Sequence, residues 1–186
     1  MVNDVARRLL ALPLLLFPLS LAAVIFQPLS IKSLSSEADL VLQGVVQSKS
    51  CQRDGAGRIY TRIELEVTDV WKGAVGTNPF LIVHGGGVLG EEQSIVSGQV
   101  QYEVGEEVVA FLVRNSRGEG VTLGLMQGKF HVWKDAVSGI KYATSPFHGL
   151  PETGANVLLQ NASGTKMLPA VLRVSELKAR VLEVVR

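Results

Sequence analysis

The sequence predicts an all-β fold: a small, OB-like barrel of mainly antiparallel strands, followed by a C-terminal amphipathic helix. Three observations carry that expectation. Residues 59–71 alternate between two faces without a break, and a period of two marks extended chain with one face buried. The 186 residues include 19 glycines, many of them between apolar runs, where turns and bulges need them. Strand-like runs also follow one another with no helix-period segment between them, as in barrels and sandwiches.

Residues 1–23 read as a secretory leader. Arg7-Arg8 precede an apolar run from Leu9 to Leu19, and Ser20-Leu21-Ala22-Ala23 offers small residues for cleavage after Ala22 or Ala23. The apolar core is shorter than the roughly 20 residues of a membrane span. Val24-Ile25-Phe26 prolongs it, so an uncleaved anchor is the competing expectation. Residues 24–37 read as a tether ending in Ser33-Leu34-Ser35-Ser36-Glu37.

The barrel domain is expected over 38–143. Leu40, Leu42, Gly44 and Val46 share one face of a first strand, with Gly44 marking a bend. After a turn at Asp54-Gly55-Ala56-Gly57, the strand 59–71 places Ile59, Ile63, Leu65, Val67 and Trp71 inward and Arg62, Glu64 and Glu66 outward. At about 3.3 Å per residue it runs some 40 Å, too long to stay flat, so it coils around a barrel. Phe80 to Val83 is a short strand broken by His84-Gly85-Gly86-Gly87, and 87–98 reads as a mobile loop. Gln99 to Val104 is expected at a sheet edge. Val108 to Val113 is continuously apolar, a central strand covered on both faces. Val121 to Leu125, Lys129 to Trp133 and Ile140 to Ala143 complete the strands. Residues 144–170 read as loop, and within 171–186 Ser175 caps a helix from Glu176 to Val185 that docks through Leu177, Val181 and Val184.

Charge removes several function classes. The net charge is +1, and setting aside Arg7, Arg8 and Asp4 with the leader leaves sixteen basic against sixteen acidic residues. Nucleic-acid binders carry a basic excess that displaces counterions, and no polybasic run offers a seat for anionic lipid. The expected partner is therefore an unknown envelope or extracellular protein, with membrane contact only transient, through the leader. Cys51 is the single cysteine, so no internal disulfide forms.

Chemical motifs fail on their companions. Leu150-Pro151-Glu152-Thr153-Gly154 spells a sortase signal, but that reaction needs a following membrane span, and charges scattered through 166–183 deny one. A wall-anchored protein joined through Thr153 stays as a third expectation. His84 to Gly87 matches an esterase oxyanion segment without any G-x-S-x-G nucleophile. Ser163-Gly164-Thr165-Lys166 and Ser175-Glu176-Leu177-Lys178 lack the partners of penicillin-interacting enzymes. His84, His131 and His148 stand at no metal spacing. Glu91-Glu92 and Glu106-Glu107 are acid pairs on turns, and a domain this small is expected to offer little cleft between them. Tyr60, Trp71, Tyr102, Phe130 and Trp133 are candidates for stacking, with core packing the commoner fate.

The segments Ala38 to Val46, Ile59-Tyr60-Thr61, Val70-Trp71-Lys72-Gly73, Val104 to Val108 and Gly124 to Phe130 resemble a family of uncharacterised exported bacterial proteins with a small β-barrel, over about residues 38–133. The opening strand is also similar, more distantly, to the netrin-like OB-fold domains of tissue metalloproteinase inhibitors. Their inhibition works through an N-terminal cysteine that this chain lacks. The resulting expectation is a non-catalytic, cofactor-free binding module of the cell envelope, exported, with His84, Gly85, Gly86, Gly87, Glu91 and Glu92 as its binding loop. The competing expectation is a small hydrolase using Glu106, Glu107 or His131.

Overall fold

A computed structural model describes residues 29–146, 148 and 172–185. The expected leader with Ala22 and Ala23, the first part of the tether, and most of 144–170 with Thr153 and Ser163 lie outside the described residues.

Strands β1 (Leu40–Arg53) and β2 (Ile59–Lys72) form a long antiparallel hairpin. Asp54 Oδ1 closes its turn by accepting from the Ala56 and Arg58 amides, each at 2.9 Å. Register shifts at Val41/Leu42, Gln43/Gly44 and Val46/Ser48 coil the ribbon. At Gly44 a Cβ would fall 2.3 Å from the Glu66 carbonyl oxygen, so only glycine permits that approach. Strand β3 (Phe80–Gly85) pairs with β2, and just before it the Asn78 side chain takes the place of a strand partner: its Oδ1 accepts from Val67 N at 2.9 Å, and its Nδ2 donates to Val67 O at 3.2 Å.

Beyond a small hairpin of β4 (Gly87–Leu89) and β5 (Glu92–Ser94), strand β6 (Glu107–Arg114) returns to pair with β1. Strand β7 (Gly120–Thr122) pairs antiparallel with β6 and meets β3 in parallel at Ile82–Gly120. The circuit β1-β2-β3-β7-β6 thus closes a five-stranded barrel. A 3-10 turn at Leu125–Gly128 then shifts the chain along the same edge of β6, where β8 (Lys129–Lys134) pairs with its first half. Strands β9 (Lys141–Thr144) and β10 (Leu172–Arg173) extend the sheet outward. Helices α1 (Ile31–Glu37) and α2 (Val174–Val185) pack together beside it.

Two hydrophobic cores result. Inside the barrel lie Leu40, Leu42, Ile63, Leu65, Ile82, Val108, Ala110 and Leu112. Between the sheet and the helices lie Leu34, Val41, Trp71, Val109, Phe111, Phe130, Leu177 and Val181. Strands β1 and β6 therefore bury both faces, which explains the uninterrupted apolar run of β6.

Several expectations need correction. The end of the tether is helix α1: Ser30 Oγ accepts from Ser33 N at 3.0 Å, Leu34 is fully buried, and Lys72 Nζ donates to the Ser35 and Ser36 carbonyls. Its polar composition concealed Ile31 and Leu34, which dock it on the outer core. Strand β3 runs through His84 to Gly85 rather than breaking there. The loop 87–98 contains the β4–β5 hairpin, turned at Gly90 with φ +63°. Residues 99–104 form no strand, although Val100 and Tyr102 alternate with exposed neighbours, because both side chains plug the barrel and the backbone finds no ladder. Strand β7 stops at Thr122, since Gly124 and Leu125 take positive φ. Helix α2 begins at Val174, one residue before the expected cap, and buries Val174, Leu177 and Val181.

Candidate functional site

The barrel has an open end where the outer halves of β1, β2 and β3 project past its closure. Register places Cys51, Thr61 and His84 side by side across these strands. Paired residues share a face, so the row continues the inward face that carries Ile63 and Ile82. Over it the chain makes a tight turn, with Gly86 at φ +79° and Gly87 at φ +138°. Thr61 Oγ1 donates to the Gly86 carbonyl at 2.7 Å and lies 3.4 Å from Cys51 Sγ. A Cβ on Gly87 would meet Cys51 Sγ at 2.5 Å and Thr61 Oγ1 at 2.6 Å. Sterics therefore demand glycine at this crossing.

Beside the crossing lies a cavity of about 680 Å³. That volume is within the range of small-ligand sites. The β4–β5 hairpin and residues 95–101 wall this space, which strand alternation cannot reveal, and it lies between neither of the acid pairs. His84, Gly85, Gly86 and Gly87 line it as one wall, with Lys49, Cys51 and Gln101 from other segments. Glu91 and Glu92 do not line it. Glu91 is exposed at the hairpin turn, and Glu92 is held by Arg53 at 2.8 Å. Val88, Ile95 and Val96 are all exposed at the rim, Ile95 by 80%.

The cavity is weakly charged. Burial holds the His84 imidazole below its usual range, opposed by its hydrogen bond to the Gly85 carbonyl and reinforced by the Lys49 charge. A neutral ring supplies one donor and one acceptor. Lys49 is paired with Glu103 at 3.0 Å. Among the described residues, 48–53 of β1 pair only with β2, because pairing with β6 ends at Val45, and no described strand pairs with the opposite edge of that segment.

The acids of the hydrolase expectation separate. Glu106 accepts from Lys129 Nζ at 2.6 Å and lies 3.0 Å from His131 Nδ1. Glu107 accepts instead from Gln43 Nε2 at 2.7 Å and Lys141 Nζ at 2.8 Å. His148 stacks on Phe130 with centroids 4.8 Å apart, and burial pushes its pKa down to about 4. Trp71, Tyr102 and Phe130 are core residues, whereas Trp133 is exposed and stacks on Tyr142. Among the described residues no group of three or more His, Cys, Asp or Glu could hold a metal, and no helix is long and apolar enough to cross a membrane.

Residue type singled out the His84–Gly87 wall, but the cross-strand partners Cys51 and Thr61 were missed. Their only signal was the inward parity they share with Ile63, which needs the strand register to be read. No family model matches this chain, and no curated protein matches it significantly.

Proposed function

We propose that the protein is an exported, non-catalytic binding module of the cell envelope that takes an extended segment of another protein at the barrel mouth. The observation carrying this reading is the 680 Å³ cavity with the apolar rim of Val88, Ile95 and Val96. Clustered exposed apolar side chains beside a cavity favour a macromolecular partner. The edge of β1 next to Lys49 and Cys51, with which no described strand pairs, is the element that β-strand addition uses. The barrel circuit with its single parallel closure also supports an OB-like reading, an architecture whose rim loops serve recognition. Export rests on the leader pattern in residues 1–23.

Photo-crosslinking from position 95 in cells tests this reading. A discrete adduct with an envelope protein that disappears with Val96→Asp is the expected result. A probe that reacts with nothing, or an adduct indifferent to Val96→Asp, refutes it. Cys51, the single thiol, gives an independent readout, because an occupied cavity slows its alkylation.

The 3.0 Å contact between Glu106 and His131 favours a second reading, a small hydrolase in which Glu106 orients the imidazole as a general base. Turnover of an ester, peptide or glycan substrate that is abolished by His131→Gln would establish it.

A further inference from the structure

A second cavity of about 380 Å³ adjoins the first at Gln101, which lines both, and is bordered by Val100, Met126 and residues of the β8–β9 ribbon. Ser145 belongs to its wall but is 2% exposed, and its Oγ is closed off from the cavity. The neighbouring polar groups are already oriented. His131 Nδ1 is held by Glu106, which directs the other ring nitrogen elsewhere, and its side chain stays 52% exposed. Lys129 spends its charge on the same carboxylate at 2.6 Å. With the ammonium neutralised in this way, the cavity has little to offer a phosphate or sulfate.

Cross-strand register extends the site. His131 pairs with Thr144, and the next residues on the same face, Trp133 and Tyr142, pair with each other. Their rings stack with centroids 4.9 Å apart, and Trp133 remains 39% exposed. One strand face thus presents hydroxyl and imidazole groups over a cavity walled by Val100 and Met126, with an aromatic platform adjoining it. Neutral hydrogen-bonding groups beside apolar and aromatic surface match a ligand with hydroxyls at its edge and C–H groups on its face. That ligand is a saccharide.

We infer that the β8–β9 face binds a neutral oligosaccharide, one pyranose ring entering the cavity against Thr144 and His131 and the next lying on Trp133. This site shares only Gln101 with the lining of the mouth and does not depend on the reading given above.

Titration of the full chain with chitotetraose, cellotetraose and maltotetraose, followed by tryptophan fluorescence and calorimetry, tests it. Of the two tryptophans, Trp71 is buried, so an emission change reports Trp133. Saturable binding of at least one sugar is expected. It should weaken roughly tenfold in Trp133→Ala, the order that losing one aromatic stacking contact carries, and severalfold in His131→Ala. Ile95→Asp at the mouth should leave it unchanged, so the two proposals fail independently. No saturable binding by any of the three sugars overturns the inference. So does binding indifferent to both Trp133→Ala and His131→Ala, or saturation by tetra-alanine in place of the sugars.

Discussion

At Gly87 the chain passes close enough to Cys51 and Thr61 that a single methyl group has nowhere to go, and φ is +138°. Gly87→Ala is therefore expected to lower stability by about 1–3 kcal/mol and to speed alkylation of Cys51, both read in one urea series with timed labelling. Gly55→Ala is the control, since nothing lies within 4 Å of its Cβ position. A second expectation concerns pH. His148 has its pKa pushed from 6.5 down to about 4 by burial, and His84 is lowered for the same reason. A base whose folded pKa is depressed binds fewer protons folded than unfolded between those values, so stability is complete above about pH 6.5 and falls as pH drops toward 4. His148 alone accounts for roughly 2–3 kcal/mol of that loss. His148→Phe should flatten the slope in urea titrations at successive pH values. At this scale the sequence identified His84 and the glycines, but it could not show that His148 lies against Phe130, because that contact crosses strands.

Among the elements, helix α2 holds the outer core together. Leu177 and Val181 are fully buried against α1 and the sheet, and Lys178 reaches Asp69 at 2.6 Å. That ion pair is more than a third exposed and contributes little. Leu177→Ala is expected to cost about 2–4 kcal/mol, whereas Lys178→Ala should cost under about 1 kcal/mol, a contrast that thermal unfolding resolves. The periodicity of Leu177 and Val181 was legible in the sequence, but their partner was not. Helix α1 carries only Ile31 and Leu34 among polar residues, and one i, i+3 pair in seven residues is too short a periodic signal to mark a helix. Strand alternation at Val100 and Tyr102 was also legible, yet it reports only that one face is buried. Whether the backbone joins a ladder depends on what lies alongside, and here the barrel interior received the side chains without offering an edge.

For the whole molecule, β1 and β6 are central in both respects: each is buried on both faces, and β6 is paired along both edges. Their amides, over 40–46 and 108–112, should exchange slowest with solvent. The β4–β5 hairpin, a separate two-stranded sheet, should exchange fastest among the strands. Hydrogen exchange followed by mass spectrometry checks that order, and a hairpin as protected as β6 would mean that the mouth is built as rigidly as the core. A protected hairpin would also weaken the case for a site that admits a chain segment.

The sequence by itself determined the fold class, the long strand β2, the doubly covered strand β6 and the docking face of α2, because each follows from the periodicity of neighbouring residues. Only the tertiary structure decided that the barrel closes through a parallel pair, that a second core lies under two helices, and that Cys51, Thr61 and His84 form one row beneath a glycine turn. Those features join residues ten to over a hundred positions apart, and local patterning records which face a residue turns inward but not which strand it will meet there.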